Sequence, residues 1–387
     1  MDAFARKLSL AAILSGAFGV GLMIGFSIPL ISLFMEQLGY GNTPIGLNAA
    51  TAAAAVLITG PFVAGMAARL GTVATLFLGN LLAGLGLLLF PMFTAAWPLF
   101  ALRFLIGFGS ALGWIVSETW ISLLPSERWR GRVVAVYAIL FGIGLSLGPV
   151  LLNFVGTQGR TPFVFCAALL VASGVPALVV HRHAPPIAAK DQRVRVAYAL
   201  HVAPVGIMAA LLCGIAEQSL LGLLPLWGLG IDFDTADAVF LTTLFAVGGV
   251  VLMLPLGWLT DRMDRFELLI RIVALGMLCT LVLPFLTGLA SMLYGVMLVL
   301  GGAVAGFYTL GLTLIGETAT SRNEDLVSLN TVFIMAYTAG MVVGPIAGGA
   351  GMDLLPPHGL MAVLTVLFAS FIPVAFWFRR RVPAPVH

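Results

Sequence analysis

Charge is what this sequence has least of. Aspartate, glutamate, lysine and arginine make up 9% of its 387 residues, against roughly 25% in an ordinary soluble domain. So few charges cannot clothe a water-facing surface, and a soluble fold is excluded. Alternation of apolar and polar residues with period two is also missing. The runs Leu8 to Met35 and Pro44 to Ala67 are continuously uncharged, which excludes a transmembrane barrel. Cysteine is scarce too: Cys166, Cys213 and Cys279 each sit inside an apolar run, without CxxC spacing or a neighbouring histidine, as packing residues do. The formal net charge of +3 gives no surface for nucleic acid.

What is abundant is apolar length. Apolar residues make up 60% of the chain, the mean hydropathy is +1.10, and one bilayer crossing takes about 20 such residues. Divided at charged clusters, Pro/Gly turns and polar loops, the chain yields twelve spans: 8–35, 44–67, 72–93, 96–118, 133–155, 161–181, 201–230, 238–260, 268–289, 291–315, 326–352 and 358–378. The first exceeds the 7 to 15 residues of a cleavable signal core and carries Pro29 in its middle, so it is expected to remain in the mature protein. With the N-terminus inside, all basic residues but Arg103 and Arg160 fall on the cytoplasmic side. The positive-inside rule then puts both termini in the cytoplasm.

A repeat runs through the chain at about half its length. Pro29 recurs as Pro225, Pro61 as Pro255, Arg69 as Arg262, and Glu118-Thr119 as Glu317-Thr318. Gly144, Gly148 and Pro149 recur 196 residues later as Gly340, Gly344 and Pro345. Matches on equivalent spans predict an all-α polytopic membrane protein of two pseudo-symmetric six-helix bundles, 1–181 and 201–387, joined by a cytoplasmic linker at 182–200. Parallel duplication of this kind is the layout of a transporter whose substrate site lies between its repeats.

Four local patterns resemble the major facilitator superfamily, and the resemblance spans essentially the whole chain. Gly257-Trp-Leu-Thr-Asp261-Arg262-Met-Asp264-Arg265 is similar to the family's Gly-x-x-x-Asp-Arg-x-Gly-Arg loop, with Asp264 in place of its second glycine. The first-half counterpart keeps Arg69 and Gly71. Arg103-Phe-Leu-Ile-Gly107-Phe-Gly109 resembles the family's fourth helix, and Gly131-Arg132 the basic loop after it. Gly144-x-x-x-Gly148-Pro149 resembles the fifth-helix pattern of antiporters, except that Leu151 and Leu152 replace its final glycines; Gly340 to Gly349 keeps the intact form. The resemblance implies a twelve-helix facilitator fold, with Arg103 and Glu217 on cavity-lining helices.

Buried ionisable groups are the candidate working residues, because one at the bilayer centre costs about 2.5–3.5 kcal/mol even on insertion scales. Glu217 lies mid-span and is the expected proton-coupling carboxyl. Arg103 is its candidate partner, or else binds backbone carbonyls beside Gly107. Glu118 and Glu317, at the expected inner ends of two spans, are candidate gates with Arg69, Arg132, Asp261, Arg262 and Arg322. Other polar groups inside spans are mostly neutral and suit a small apolar or amphipathic solute. Its candidate contacts are Phe26, Asn48, Trp114, Gln218, Trp227, Tyr308, Phe333 and Tyr337.

Gly144-Leu-Ser146-Leu-Gly148 fits a hydrolase nucleophile pattern, yet it lies within a long apolar helix rather than at the strained turn that chemistry needs. His181 and His183 are a weak metal signal. The expectation is a monomeric secondary transporter in a bacterial inner membrane, not an enzyme, without metal or cofactor, using protons for export of its solute. The alternatives are uptake of a polar metabolite and a non-transporting receptor.

Overall fold

A computed structural model of the chain describes residues 3–123, 127–181, 184, 185, 187, 196–322 and 324–381. Among the described residues every regular element is helical. The helices are α1 (Ala3–Gln37), α2 (Asn42–Leu70), α3 (Thr72–Leu89), α4 (Ala96–Leu123), α5 (Glu127–Val155), α6 (Thr161–Val179), α7 (Val196–Val202), α8 (Pro204–Gly230), α9 (Thr235–Val251), α10 (Met253–Thr260), α11 (Arg265–Val282), α12 (Ala290–Arg322), α13 (Leu326–Leu354) and α14 (Gly359–Arg381). Twelve stretches are long and apolar enough to cross a membrane. In lipid each backbone N–H and C=O must be satisfied within the protein, which a helix does by itself.

The boundaries depart from expectation where proline or a helical charge intervenes. The seventh span separates into α7 and α8 because Pro204, lacking an N–H, opens α8 at its first turn. The eighth separates into α9 and α10 at Leu252, one turn before Pro255. Glu118 and Glu317 do not end their helices: α4 continues to Leu123 and α12 to Arg322. A charge interrupts hydropathy, not the hydrogen-bond ladder. Acidic side chains start the loop-exposed helices, with Asp234 accepting from the Asp237 amide at 2.7 Å, Asp264 from Glu267 at 2.8 Å and Asp325 from Val327 at 3.1 Å.

The chain forms two compact units, Met1–Tyr40 with Thr51–Asp191, and Gly41–Ala50 with Gln192–His387. Most of the expected linker, including Arg182, His183, Lys190, Arg193 and Arg195, lies outside the described residues. In the first unit α1 packs on α5 and α6, and α3 packs on α4 and α6; in the second, α8 packs on α13, and α12 on α9 and α11.

The repeated glycines set both α1–α5 and α8–α13. A Cβ on Gly144 would overlap the Phe18 carbonyl and one on Gly340 the Leu211 carbonyl, so helix axes come closer than any larger residue allows. Gly21 meets Phe141 as Gly214 meets Tyr337. This packing corrects the repeat register on the first helix of each unit. A uniform offset of 196 pairs Glu217 with Gly21, but the glycine equivalent to Gly21 is Gly214, three residues earlier. Glu217 therefore corresponds to Ile24, and Tyr337 to Phe141.

Candidate functional site

In the second unit, α8, α12 and α13 bring together one carboxyl and three aromatic rings. Glu217 is half-buried on α8. Its Oε2 accepts from the Tyr337 hydroxyl at 2.9 Å. Cys213 Sγ, one turn earlier, lies 3.8 Å from the same oxygen and 3.4 Å from the Val304 carbonyl. Tyr308 stands edge-on to Tyr337, with centroids 5.4 Å apart, and to Phe333, at 5.1 Å. Tyr308 and Tyr337 are half-buried, whereas Phe333 is enclosed. Oε2 thus has two sulfur or oxygen donors, while Oε1 has no donor among the described residues.

Such a carboxyl is held in place through one oxygen, while the other is engaged by no donor among the described residues. The equivalent positions in the first unit, Ile24 and Phe141, carry no polar atom, so this pair is a feature of one repeat alone. Of the sequence candidates, Glu217, Tyr308, Phe333 and Tyr337 meet here. Cys213, expected only to pack, belongs with them; its spacing of four residues from Glu217 on one helix was the available signal.

The other candidates are dispersed. Phe26 is fully enclosed in the first unit, its ring 5.7 Å from that of Phe165. Trp227 is equally enclosed, 6.4 Å from the His358 ring. Asn48 and Gln218 are buried. Trp114 donates through Nε1 to Glu118 at 2.8 Å along α4, and the Glu118 side chain is otherwise exposed. Arg103 is buried on α4, and no bond to the carbonyls beside Gly107 is present among the described residues. Ser146 bonds the Gly142 carbonyl within α5 at 2.9 Å, an ordinary helical hydroxyl.

At the end of the second unit that carries the Asp261–Arg265 loop, the ion partner of Glu317 is Arg265, at 2.5 Å. It is none of the arginines expected as gate partners, Arg69, Arg132, Arg262 and Arg322. Arg262 instead lies over the Trp258 ring, 3.8 Å from its centroid, and Arg379 pairs with Asp264 at 3.6 Å. Asp261 and Arg69 have no ion pair among the described residues, and Arg132 is exposed near the start of α5. Arg322 has no described side chain.

At the opposite end of that unit sequence reading missed a junction. Asp353, near the end of α13, accepts from the amide and side chain of Asn42 at 3.1 and 2.9 Å, and from the amide and hydroxyl of Thr43 at 2.8 and 2.6 Å. One carboxylate thus closes the first turn of α2. An aspartate 310 residues from its partner leaves no local pattern to find.

Residues 13–325 and 241–387 match the Major Facilitator Superfamily. The chain belongs to that superfamily. It is 25% identical over 358 residues to YfkF of Bacillus subtilis, an uncharacterized MFS-type transporter, covering 90% of each chain. It is also 25% identical over 349 residues to YcaD of Escherichia fergusonii, covering 89% of this chain and 88% of that one. Among solved structures, the nucleoside transporter NupG superposes with a TM-score of 0.77 at 15% identity, over 97% of this chain and 99% of that one. A D-xylose-proton symporter superposes with a TM-score of 0.74 at 15% identity, over 96% and 98%. This facilitator-superfamily chain is therefore a multi-pass membrane protein of a transporter family.

Proposed function

We propose that the protein is a proton-coupled secondary transporter that exports a small apolar or amphipathic organic solute by alternating access, with Glu217 as the coupling carboxyl. The observation that carries this reading is the asymmetry of Glu217, with Oε2 engaged by Tyr337 and Cys213 and Oε1 left to a proton or a cargo group. A carboxyl that shuttles a proton must be fixed in position yet reachable, and this one is half-buried. The half-buried rings of Tyr308 and Tyr337 are the proposed cargo contacts in the second unit, backed by Phe333, which stands edge-on to Tyr308. The Arg265–Glu317 pair and Glu118 act as gates on the cytoplasmic side.

The proposed setting is a bacterial inner membrane, with six-helix bundles at 1–181 and 201–387, both termini cytoplasmic and the protein a monomer. The test is reconstitution into proteoliposomes with an imposed pH gradient and untargeted measurement of solute movement. Gradient-dependent movement of an amphipathic solute, lost in Glu217→Gln, is the expected result. Gradient-driven accumulation of a nucleoside, a sugar or a dicarboxylate would overturn the cargo assignment, and full gradient-driven transport by Glu217→Gln would overturn the coupling assignment.

A further inference from the structure

Arg103 stands about two turns into α4, with 3% of its surface exposed. A guanidinium carries five N–H donors and no acceptor. Nε has no hydrogen-bond partner, and no ion pair or hydrogen bond to this side chain is present among the described residues. An arginine kept only for packing would spend its donors on helix carbonyls; this one does not.

Among the described residues of its own unit no carboxylate pairs with it. The acidic residues of that unit are Asp2, Glu36, Glu118, Glu127 and Asp191. Glu118 is on the same face of α4 but 15 residues on, roughly 22 Å along the axis, and its carboxylate is taken by Trp114. Glu36 ends α1 in its last turn. Between Arg103 and Trp114, the same face of α4 carries Ile106, Gly107, Ser110 and Ala111, none of them charged. Gly107 lies so close to the α2 backbone at Ala52 that a Cβ would overlap it. The stripe of α4 that Arg103 shares is thus uncharged as far as Trp114.

We propose that Arg103 is an anion-binding residue and that the cargo carries a single anionic group, a carboxylate on an otherwise apolar body. The proposal rests on the reading of the chain as a transporter of a small amphipathic solute, and names its charge. A planar, permanently charged fork suits a carboxylate bound through two parallel N–H···O bonds.

The test uses the full-length protein in detergent at constant ionic strength, with isethionate as background anion. Its thermal midpoint is measured against benzoate, the neutral isostere benzamide, benzylammonium and chloride. Benzoate is expected to raise the midpoint while benzamide and benzylammonium do not. Arg103→Gln should weaken the benzoate response roughly ten- to a hundred-fold, and Arg103→Lys, which keeps the charge but not the fork, by less. The wild-type panel decides the matter even if Arg103→Gln folds poorly. A full response to chloride, with nothing added by benzoate, overturns the cargo assignment, as does stabilisation by benzylammonium in place of benzoate. In proteoliposomes, gradient-driven transport of a neutral or cationic solute that Arg103→Gln supports would remove the anion site and leave the transport reading standing.

Discussion

The Tyr337 hydroxyl on α13 donates to Oε2 of Glu217 on α8 at 2.9 Å, across a helix pair whose spacing is set by Gly214 beneath Tyr337 and Gly340 beneath Leu211. The glycine seam and the polar pair are therefore one arrangement. Without the close approach of the two backbones, a tyrosine on one helix would not meet a glutamate on the other.

Glu217→Gln keeps the shape and most of the hydrogen bonding of the side chain but cannot change its protonation. Gradient-driven transport is expected to fall to background while exchange of cargo across vesicles without a gradient continues. Parallel measurement of both activities in proteoliposomes checks this, and equal loss of both would make Glu217 structural. Tyr337→Phe removes one hydrogen bond to the carboxyl, and a loss of about 1–3 kcal/mol in stability is expected, read from thermal unfolding in detergent.

Gly340→Ala places a methyl group against the Leu211 carbonyl. Overpacking of this kind costs typically about 1–3 kcal/mol, and the equivalent Gly144→Ala against Phe18 should cost a similar amount. Gly295→Ala, on α12 where nothing lies within reach of a Cβ, should be neutral or slightly stabilising. Thermal midpoints of the three variants, compared under one condition, test the seam directly.

Asp353→Ala removes the acceptor of the amide and side-chain donors of Asn42 and Thr43. Loss of a helix cap is worth about 0.5–2 kcal/mol, and it falls on the first turn of α2. Amide hydrogen exchange at residues 41–50 should quicken while exchange at the far end of α2 stays unchanged. Unaltered exchange in the first turn would show that the α2 terminus is held by packing alone.

Glu317→Gln breaks the Arg265 pair, whose side chains are 33% and 48% exposed. Exposed pairs contribute about 0–1 kcal/mol, so the melting behaviour should barely move and should be insensitive to salt. If the pair acts as a gate, the change appears instead as a shift between inward- and outward-accessible states, measured by labelling of single cysteines placed at the two ends. A large loss of stability would contradict the gating role.

The sequence alone determined the helices, because a chain with so few charges can exist only in lipid, and lipid admits only internally bonded backbone. Twelve spans and a duplicated glycine pattern were readable as composition and period, and Glu217 stood out as a carboxyl within an apolar run. Helix ends were less legible, since Pro204, Pro255 and the helical glutamates Glu118 and Glu317 act on the hydrogen-bond ladder and on hydropathy in different ways. Only the tertiary structure decided the partners. Tyr337 is 120 residues from Glu217, Thr43 is 310 from Asp353, and Arg265 rather than its neighbour Arg262 reaches Glu317. The register that makes Ile24 the counterpart of Glu217 is likewise set by glycine contacts between helices. Side-chain pairing depends on axial register and rotation of packed helices, which are fixed by contact between distant surfaces and leave no periodic trace in either segment.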